Sequence, residues 1–286
     1  IKITEDNTMS KTSVAFENEI VKMVNNHIEE PLPPILPDWM INEGIIPGAK
    51  IISVNRIGDR NKDNKTDVII KLNKGEPIKI SAKLCNADYF GNWYGHKRFL
   101  LEFGETAFTK MTKAATIWAN EWAKTAVHPY VGVSICFGKR SGKTCQNFFD
   151  LFIPEDILTI CRGYGNGNNI ANCIYISNHS ATNIQELINN IKEITIENIN
   201  TITQNFKIAY RPINPIKEFS NRSKNVYSRF LPYKKLETNT VITNPKELFK
   251  LGKFVEVAPT SLNHNQILND LETNYNIVIP RKTKTK

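Results

Sequence analysis

The sequence predicts an α/β protein, with helices flanking a central mixed β-sheet. Three observations carry this. Apolar residues recur at helical spacing near the N-terminus and again past residue 105. Short β-branched runs broken by turn residues lie between them. A continuous apolar run, Y-V-G-V-S-I-C-F at 130–137, reads as a buried strand.

Taken in order, residues 10–29 form an amphipathic helix with Val14, Phe16, Ile20, Met23, Val24 and Ile28 on its apolar face. Pro31, Pro33, Pro34 and Pro37 stop it and impose an extended linker. A strand follows at 49–57, then a polar loop, G-D-R-N-K-D-N, then a β-hairpin over 66–84. An aromatic and basic stretch (N-A-D-Y-F-G-N-W-Y-G-H-K-R) leads into a long helix from about 105 to 124. Phe108, Met111, Ala115, Trp118 and Trp122 are its stripe. After the 130–137 strand, a basic hairpin tip (G-K-R-S-G-K-T) leads to a strand near 147–153. The second half predicts helices at 183–194, 245–251 and 263–271, and strands near 172–177 and 204–210. The tail R-K-T-K-T-K is expected to lack structure.

The chain has 286 residues and a net charge of +9, which attracts polyanions and makes nucleic acid the expected partner. An abundance of Ile, Asn and Lys weakens that argument slightly, because an AT-rich genome inflates Lys. No apolar run reaches the length of about 18 residues that a transmembrane helix needs. The polar start, I-K-I-T-E-D-N, has no signal-peptide core. Five cysteines with no C-x-x-C spacing argue for reduced thiols in a cytoplasmic protein and against a zinc cluster.

The chemistry concentrates in K-T-D-V-I-I-K-L-N-K-G-E-P-I-K-I-S-A-K, residues 65–83. Asp67 opens the first strand, and Ser81 and Lys83 close the second. A hard divalent cation needs oxygen ligands and keeps several waters. Asp67 offers a carboxylate, the Ala82 backbone carbonyl a second oxygen, and Lys83 a cation to hold and polarise a water. Ile78, Ile80, Ala82 and Leu84 alternate with Lys79, Ser81 and Lys83, so the first set faces the core and the second a polar cleft. A four-residue turn would pair Asp67 with Ala82 and aim it away from Lys83. The site therefore requires a five-residue turn or a bulge, and Pro77, which has no N–H for a ladder, favours an irregular turn.

Asp67 with Ser81-Ala82-Lys83, preceded by the helical F-E-N-E-I of residues 16–20, resembles the PD-(D/E)XK nucleases, the fold of most type II restriction endonucleases. The resemblance covers roughly residues 10–153 and includes the element order. It departs from the family at Thr66, where proline is frequent, and at Ser81, where an acid is usual. Some restriction enzymes with S-x-K recover that acid from a helix. Glu17 is the first candidate here, Glu102 the second, with Glu105 beside it. The resemblance implies a restriction-endonuclease-like core over 1–153 and an α/β continuation over 154–286 packed on it as one compact unit. It further implies a Mg²⁺-dependent endonuclease, with Mn²⁺ as substitute, that leaves 5′-phosphate ends. Asp67, Lys83, Ser81 and Glu17 would be catalytic, and Asp67, the Ala82 carbonyl and Glu17 would hold the metal directly or through water.

Double-stranded DNA is the expected substrate, and cutting two strands calls for a two-fold homodimer. Candidate DNA contacts are Asn92, His96, Lys97 and Arg98 after the hairpin, Lys139, Arg140 and Lys143 in the basic tip, and Arg211, Arg222, Lys224 and Arg229 in the second half. Gly138 to Thr144 has one residue too few for a phosphate-binding P-loop, and Gly163 to Asn168 fails the dinucleotide pattern, so no nucleotide cofactor is expected. Two alternatives stay open: a nuclease of the same fold that cuts by DNA structure, and a non-catalytic DNA-binding protein in which Ser81 marks a lost acid.

Overall fold

In the computed structural model, which describes residues 5–57, 64–91, 93–218 and 225–282, the chain is a mixed α/β protein with several sheets and, among the described residues, eight α-helices. In chain order the first elements are α1 (Glu5–Asn25), α2 (Asp38–Asn42), β1 (Ile51–Arg56), β2 (Val68–Leu72), β3 (Ile78–Lys83), β4 (Tyr89–Gly91), α3 (His96–Ala123), β5 (Gly132–Gly138) and β6 (Cys145–Asn147). Then come α4 (Asp156–Cys161), β7 (Cys173–Ile176), α5 (Ile184–Asn190), β8 (Lys192–Glu193), α6 (Ile196–Thr203) and β9 (Lys207–Pro212). The last are β10 (Ser228–Pro232), β11 (Thr240–Val241), α7 (Pro245–Lys250), β12 (Gly252–Glu256), α8 (His264–Tyr275) and β13 (Ile277–Val278). Among the described residues no helix is long and apolar enough to cross a membrane. All five cysteines are free thiols.

Two compact units emerge, each assembled from two stretches of chain: residues 1–90 with 153–206, and residues 91–152 with 207–286.

The first unit is organised by a sheet in the order β1-β2-β3-β7-β8. β1, β2 and β3 are successive antiparallel neighbours, β7 joins β3 in parallel, and β8 closes antiparallel on β7. The sheet is mixed, but the strand expected at 130–137 (β5) and the one expected near 147–153 (β6) belong to a different sheet. Apolar residues of α1 (Phe16, Ile20, Met23 and Val24) bury against Val54, Val68, Ile70, Ile78, Ile80 and Tyr175. Burial of such side chains is worth about 1.5–3 kcal/mol each, so this helix–sheet seam is a principal driving force for the unit. The proline run acts as predicted: after α1 the chain is extended, with Leu32 N–H donating to Ala49 O and Pro31 bridging Lys50.

The second unit holds a sheet whose strands run β12-β10-β5-β9-β6, each antiparallel to the next. α3 packs against β10 and β12, and an aromatic cluster including Tyr94, Phe99, Phe108, Phe137 and Tyr227 fills the space beneath it. The helix expected from about residue 105 starts earlier, at His96, and breaks at Gly104, whose φ of 78° only glycine adopts readily. Phe108, Met111 and Ala115 are buried as the stripe requires, whereas Trp118 and Trp122 are half-buried and stack on each other, and Trp118 also stacks on Tyr210. The strand expected at 147–153 is shorter and earlier, ending at Asn147, and a 3₁₀ turn over Phe148–Asp150 follows it.

Candidate active site

Leu72 ends β2 and Ile78 begins β3, which leaves five residues, Asn73–Pro77, for the turn. The strands pair Ile70 with Ile78 and Val68 with Ile80. This is the odd-numbered connection that a convergent Asp67 and Lys83 demand. Gly75 makes it possible: its φ is 82°, and a Cβ there would lie 2.6 Å from Gly44 O. Asn172 braces the far side of the turn, accepting Lys79 N–H at 2.8 Å and donating to Pro77 O at 3.0 Å.

Beyond Val68 the regular ladder ends and Asp67 takes over. Its backbone N–H donates to Ile80 O at 2.8 Å, while its Oδ2 accepts Ala82 N–H at 2.8 Å. The same Oδ2 accepts the Lys83 ammonium at 2.9 Å and, weakly, the Ser81 hydroxyl at 3.4 Å. The ammonium also donates to Ala82 O at 2.9 Å. One carboxylate oxygen and one carbonyl oxygen therefore converge on a single positive charge. Asp67 and Lys83 are 24% and 20% exposed, so the pair stays open to solvent on one side. Ile78, Ile80, Ala82 and Leu84 are buried as the alternation predicts; Ser81 is buried too, and Lys79 and Lys83 are half-buried.

Glu17 enters from α1. Its neighbour Phe16 is pinned in the core against Tyr175, which fixes the helix face and directs Glu17 to the rim of the sheet. Arg56, at the end of β1, donates from Nε to Glu17 Oε2 at 2.5 Å. Burial pushes the Glu17 carboxyl above its ordinary value, and the Asp67 charge pushes the same way. The Arg56 hydrogen bond and charge oppose this, with the Lys83 charge behind them. Glu17 thus lies within electrostatic reach of both Asp67 and Lys83. Cys161, on α4, is also close enough to feel Lys83 and Lys65, but burial pushes its thiol up to about 12, so it stays a neutral, inert group.

Two carboxylates and a carbonyl match a hard, oxygen-seeking divalent ion that retains several waters. Asp67 Oδ2 and Ala82 O are the pair that could hold it, and the Glu17 carboxyl feels the Asp67 charge. Among the described residues no group of three or more His, Cys, Asp or Glu side chains is placed to hold a metal.

The remaining candidates scatter. Glu102 sits on α3 in the second unit, where it accepts Tyr94 O–H at 2.7 Å and Arg98 Nε–H at 2.7 Å. His96 requires a correction. It is fully buried, with Nε2 2.7 Å from Val226 O and Nδ1 accepting Ser261 N–H at 3.1 Å, so it cannot meet a phosphate. Arg98 lies over the Tyr94 ring and pairs with Glu102, Arg211 pairs with Glu218 and lies over Trp93, and Arg229 pairs with Asp270. These three arginines were expected at DNA, and each is engaged inside the second unit. Arg140 bonds Thr144 within the basic tip, Lys139 beside it is half-buried, and Lys97 and Lys143 are exposed. Asn92, Arg222 and Lys224 lie outside the described residues. Arg56 escaped the sequence reading. Its position two residues after buried Val54 is unremarkable in sequence, and its bond to Glu17 arises from the packing of α1 on β1.

No protein-family model matches the chain, and no curated protein matches it in sequence.

Proposed function

We propose that this chain is a Mg²⁺-dependent DNA endonuclease of the PD-(D/E)XK type, most closely resembling type II restriction enzymes and acting as a homodimer. The observation that carries the reading is the convergence of Asp67 Oδ2 and Ala82 O on the Lys83 ammonium, with the Glu17 carboxylate in electrostatic reach. The net charge of +9 supports a polyanionic substrate.

A divalent ion bound here would lower the pKa of a water and offset charge on the leaving oxygen. The chain's own residues do the rest. Asp67, clamped by Ala82 N–H, presents a fixed carboxylate. Lys83 orients the attacking water towards the phosphate and stabilises its charge as the bond to the 3′ oxygen breaks, leaving a 5′-phosphate end. Glu17, steered by Arg56, supplies the negative charge that Ser81 lacks.

The test is incubation of the purified protein with plasmid and phage DNA in Mg²⁺ or Mn²⁺. Discrete fragments with 5′-phosphate ends are expected, and a smear would instead indicate a nuclease that cuts by structure. DNA left intact with both metals overturns the enzymatic reading and leaves a binding protein.

A further inference from the structure

The loop Gly163–Asn169 (G-Y-G-N-G-N-N) fails the dinucleotide pattern and has no part in the metal site, yet it is fastened to the catalytic hairpin. Lys65 N–H donates to Asn169 O at 3.0 Å, and the Lys79 ammonium donates to Gly167 O at 3.3 Å. At its start, Gly163 packs so closely that a Cβ there would meet Lys65 Cγ at 3.0 Å and Asn169 O at 3.1 Å. The loop is therefore held by the residue two before Asp67 and by the residue four before Lys83.

Three glycines with φ of 112°, 95° and 74° (Gly163, Gly165 and Gly167) alternate with Tyr164, Asn166 and Asn168. All three of these side chains are exposed, Tyr164 at 53%. A lone exposed tyrosine means little. A phenol ring and two primary amides displayed together beside Lys65 and Lys79 of the hairpin is a different matter. The set carries no charge, so it adds nothing to the long-range attraction of phosphates and acts only through close contacts. An aromatic face stacks on any base, and an amide can bond bidentately to adenine. Lys79 and Lys83 are four residues apart on β3, about 13 Å at roughly 3.3 Å per residue. That distance corresponds to about four base pairs of duplex rise.

We propose that loop 163–169 reads DNA bases within about four pairs of the scissile phosphate, through Asn166 and Asn168 on base edges and Tyr164 against a base or sugar. The proposal rests on the nuclease reading for the position of the cut. The experiment compares the wild type with Tyr164→Ala, Asn166→Ala and Asn168→Ala. One arm sequences the ends cut from a randomised DNA library, and the other selects bound duplexes from that library without divalent metal. Expected is a relaxed base preference near the cut in at least one asparagine variant, with preferred-site affinity lower by about 5- to 150-fold and non-specific affinity unchanged. Thermal unfolding should match the wild type, because none of the three side chains is buried. Unchanged preference in all three variants overturns the proposal, as does an equal loss of affinity on every sequence. If the wild type cuts nothing, the nuclease reading fails separately, and the selection arm still decides the loop: relaxed selection sustains base reading, and unchanged selection ends it.

Discussion

Asp67 and Ala82 are joined by a side-chain-to-backbone hydrogen bond at the point where the β2–β3 ladder would otherwise continue. The carboxylate accepts the N–H of a residue that is only 6% exposed, so it acts as a structural cap as well as a charge. Lys83 is therefore not the sole group that holds the aspartate in place.

Loss of Lys83 and loss of Asp67 should accordingly separate. Lys83→Ala should lower cleavage about 10²–10³-fold while stability and duplex binding stay near wild type. Asp67→Ala should abolish cleavage and cost about 1–3 kcal/mol, because a buried N–H loses its acceptor. Asp67→Asn keeps an acceptor oxygen and should be inactive but nearly as stable as wild type. Plasmid cleavage beside urea unfolding checks all three. Equal destabilisation by Lys83→Ala and Asp67→Ala would refute the capping role.

Glu17 gives a pH signature of its own. Its carboxyl is raised by burial first and the Asp67 charge second. A carboxyl raised by folding holds its proton more readily in the native chain than in the unfolded one. Its contribution to stability is thus present at low pH and is lost as pH rises from the ordinary value of 4.5 through the raised value. Glu17→Gln removes that loss, so the variant should gain on the wild type as pH climbs across this window. Thermal unfolding at stepped pH measures the difference, and a gap that does not vary with pH would count against the burial of a charged Glu17. On the proposed nuclease reading, cleavage by the variant should also fall.

His96 should behave in the opposite sense. Burial lowers its pKa from 6.5, and the hydrogen bond to Val226 only partly opposes this. The native chain then binds fewer protons than the unfolded one below that value. Stability present at neutral pH should be lost as pH falls through 6.5 towards the depressed native value. Because Nδ1 accepts Ser261 N–H, Nε2 must carry the proton given to Val226 O. Nitrogen-15 NMR should find the neutral Nε2–H tautomer in the native protein below pH 6.5. An imidazolium signal there would contradict the geometry.

Thr66 carries a buried hydroxyl, Oγ1, that has no hydrogen-bond partner among the described residues. Thr66→Val replaces it with a methyl group of similar size. The substitution should be neutral or stabilising by about 1 kcal/mol, because the cost of desolvating the hydroxyl disappears. Urea unfolding of the variant is the check, and a loss greater than about 1 kcal/mol would mean that the hydroxyl is satisfied in solution.

The legibility of the chain in its sequence divides along physical lines. The hairpin could be read down to its turn length, because strand alternation and a single demand, Asp67 and Lys83 on one side, leave few registers. α1 was legible from its apolar spacing, though it ends at Asn25, before the expected limit. β10, β12 and α6 were not anticipated. β10 and β12 are short strands whose partners lie far away in sequence, and α6 is a single short helix with a Thr195 cap. The helical character of His96–Phe103 was masked by glycines and aromatics that suggested a loop. At the site, Asp67, Lys83 and the Ala82 carbonyl came from pattern. Arg56 did not, because its partner comes from a helix packing across the sheet, and so it has no local signature.

The division of the chain into interleaved stretches has a consequence for its birth on the ribosome. By residue 90 the nascent polypeptide already contains Glu17, Asp67 and Lys83, yet it holds only β1, β2 and β3 of their sheet. The open side of β3 gains its neighbour β7 only when residues 173–176 emerge. A half-made chain thus carries Glu17, Asp67 and Lys83 on a sheet that still lacks its parallel neighbour.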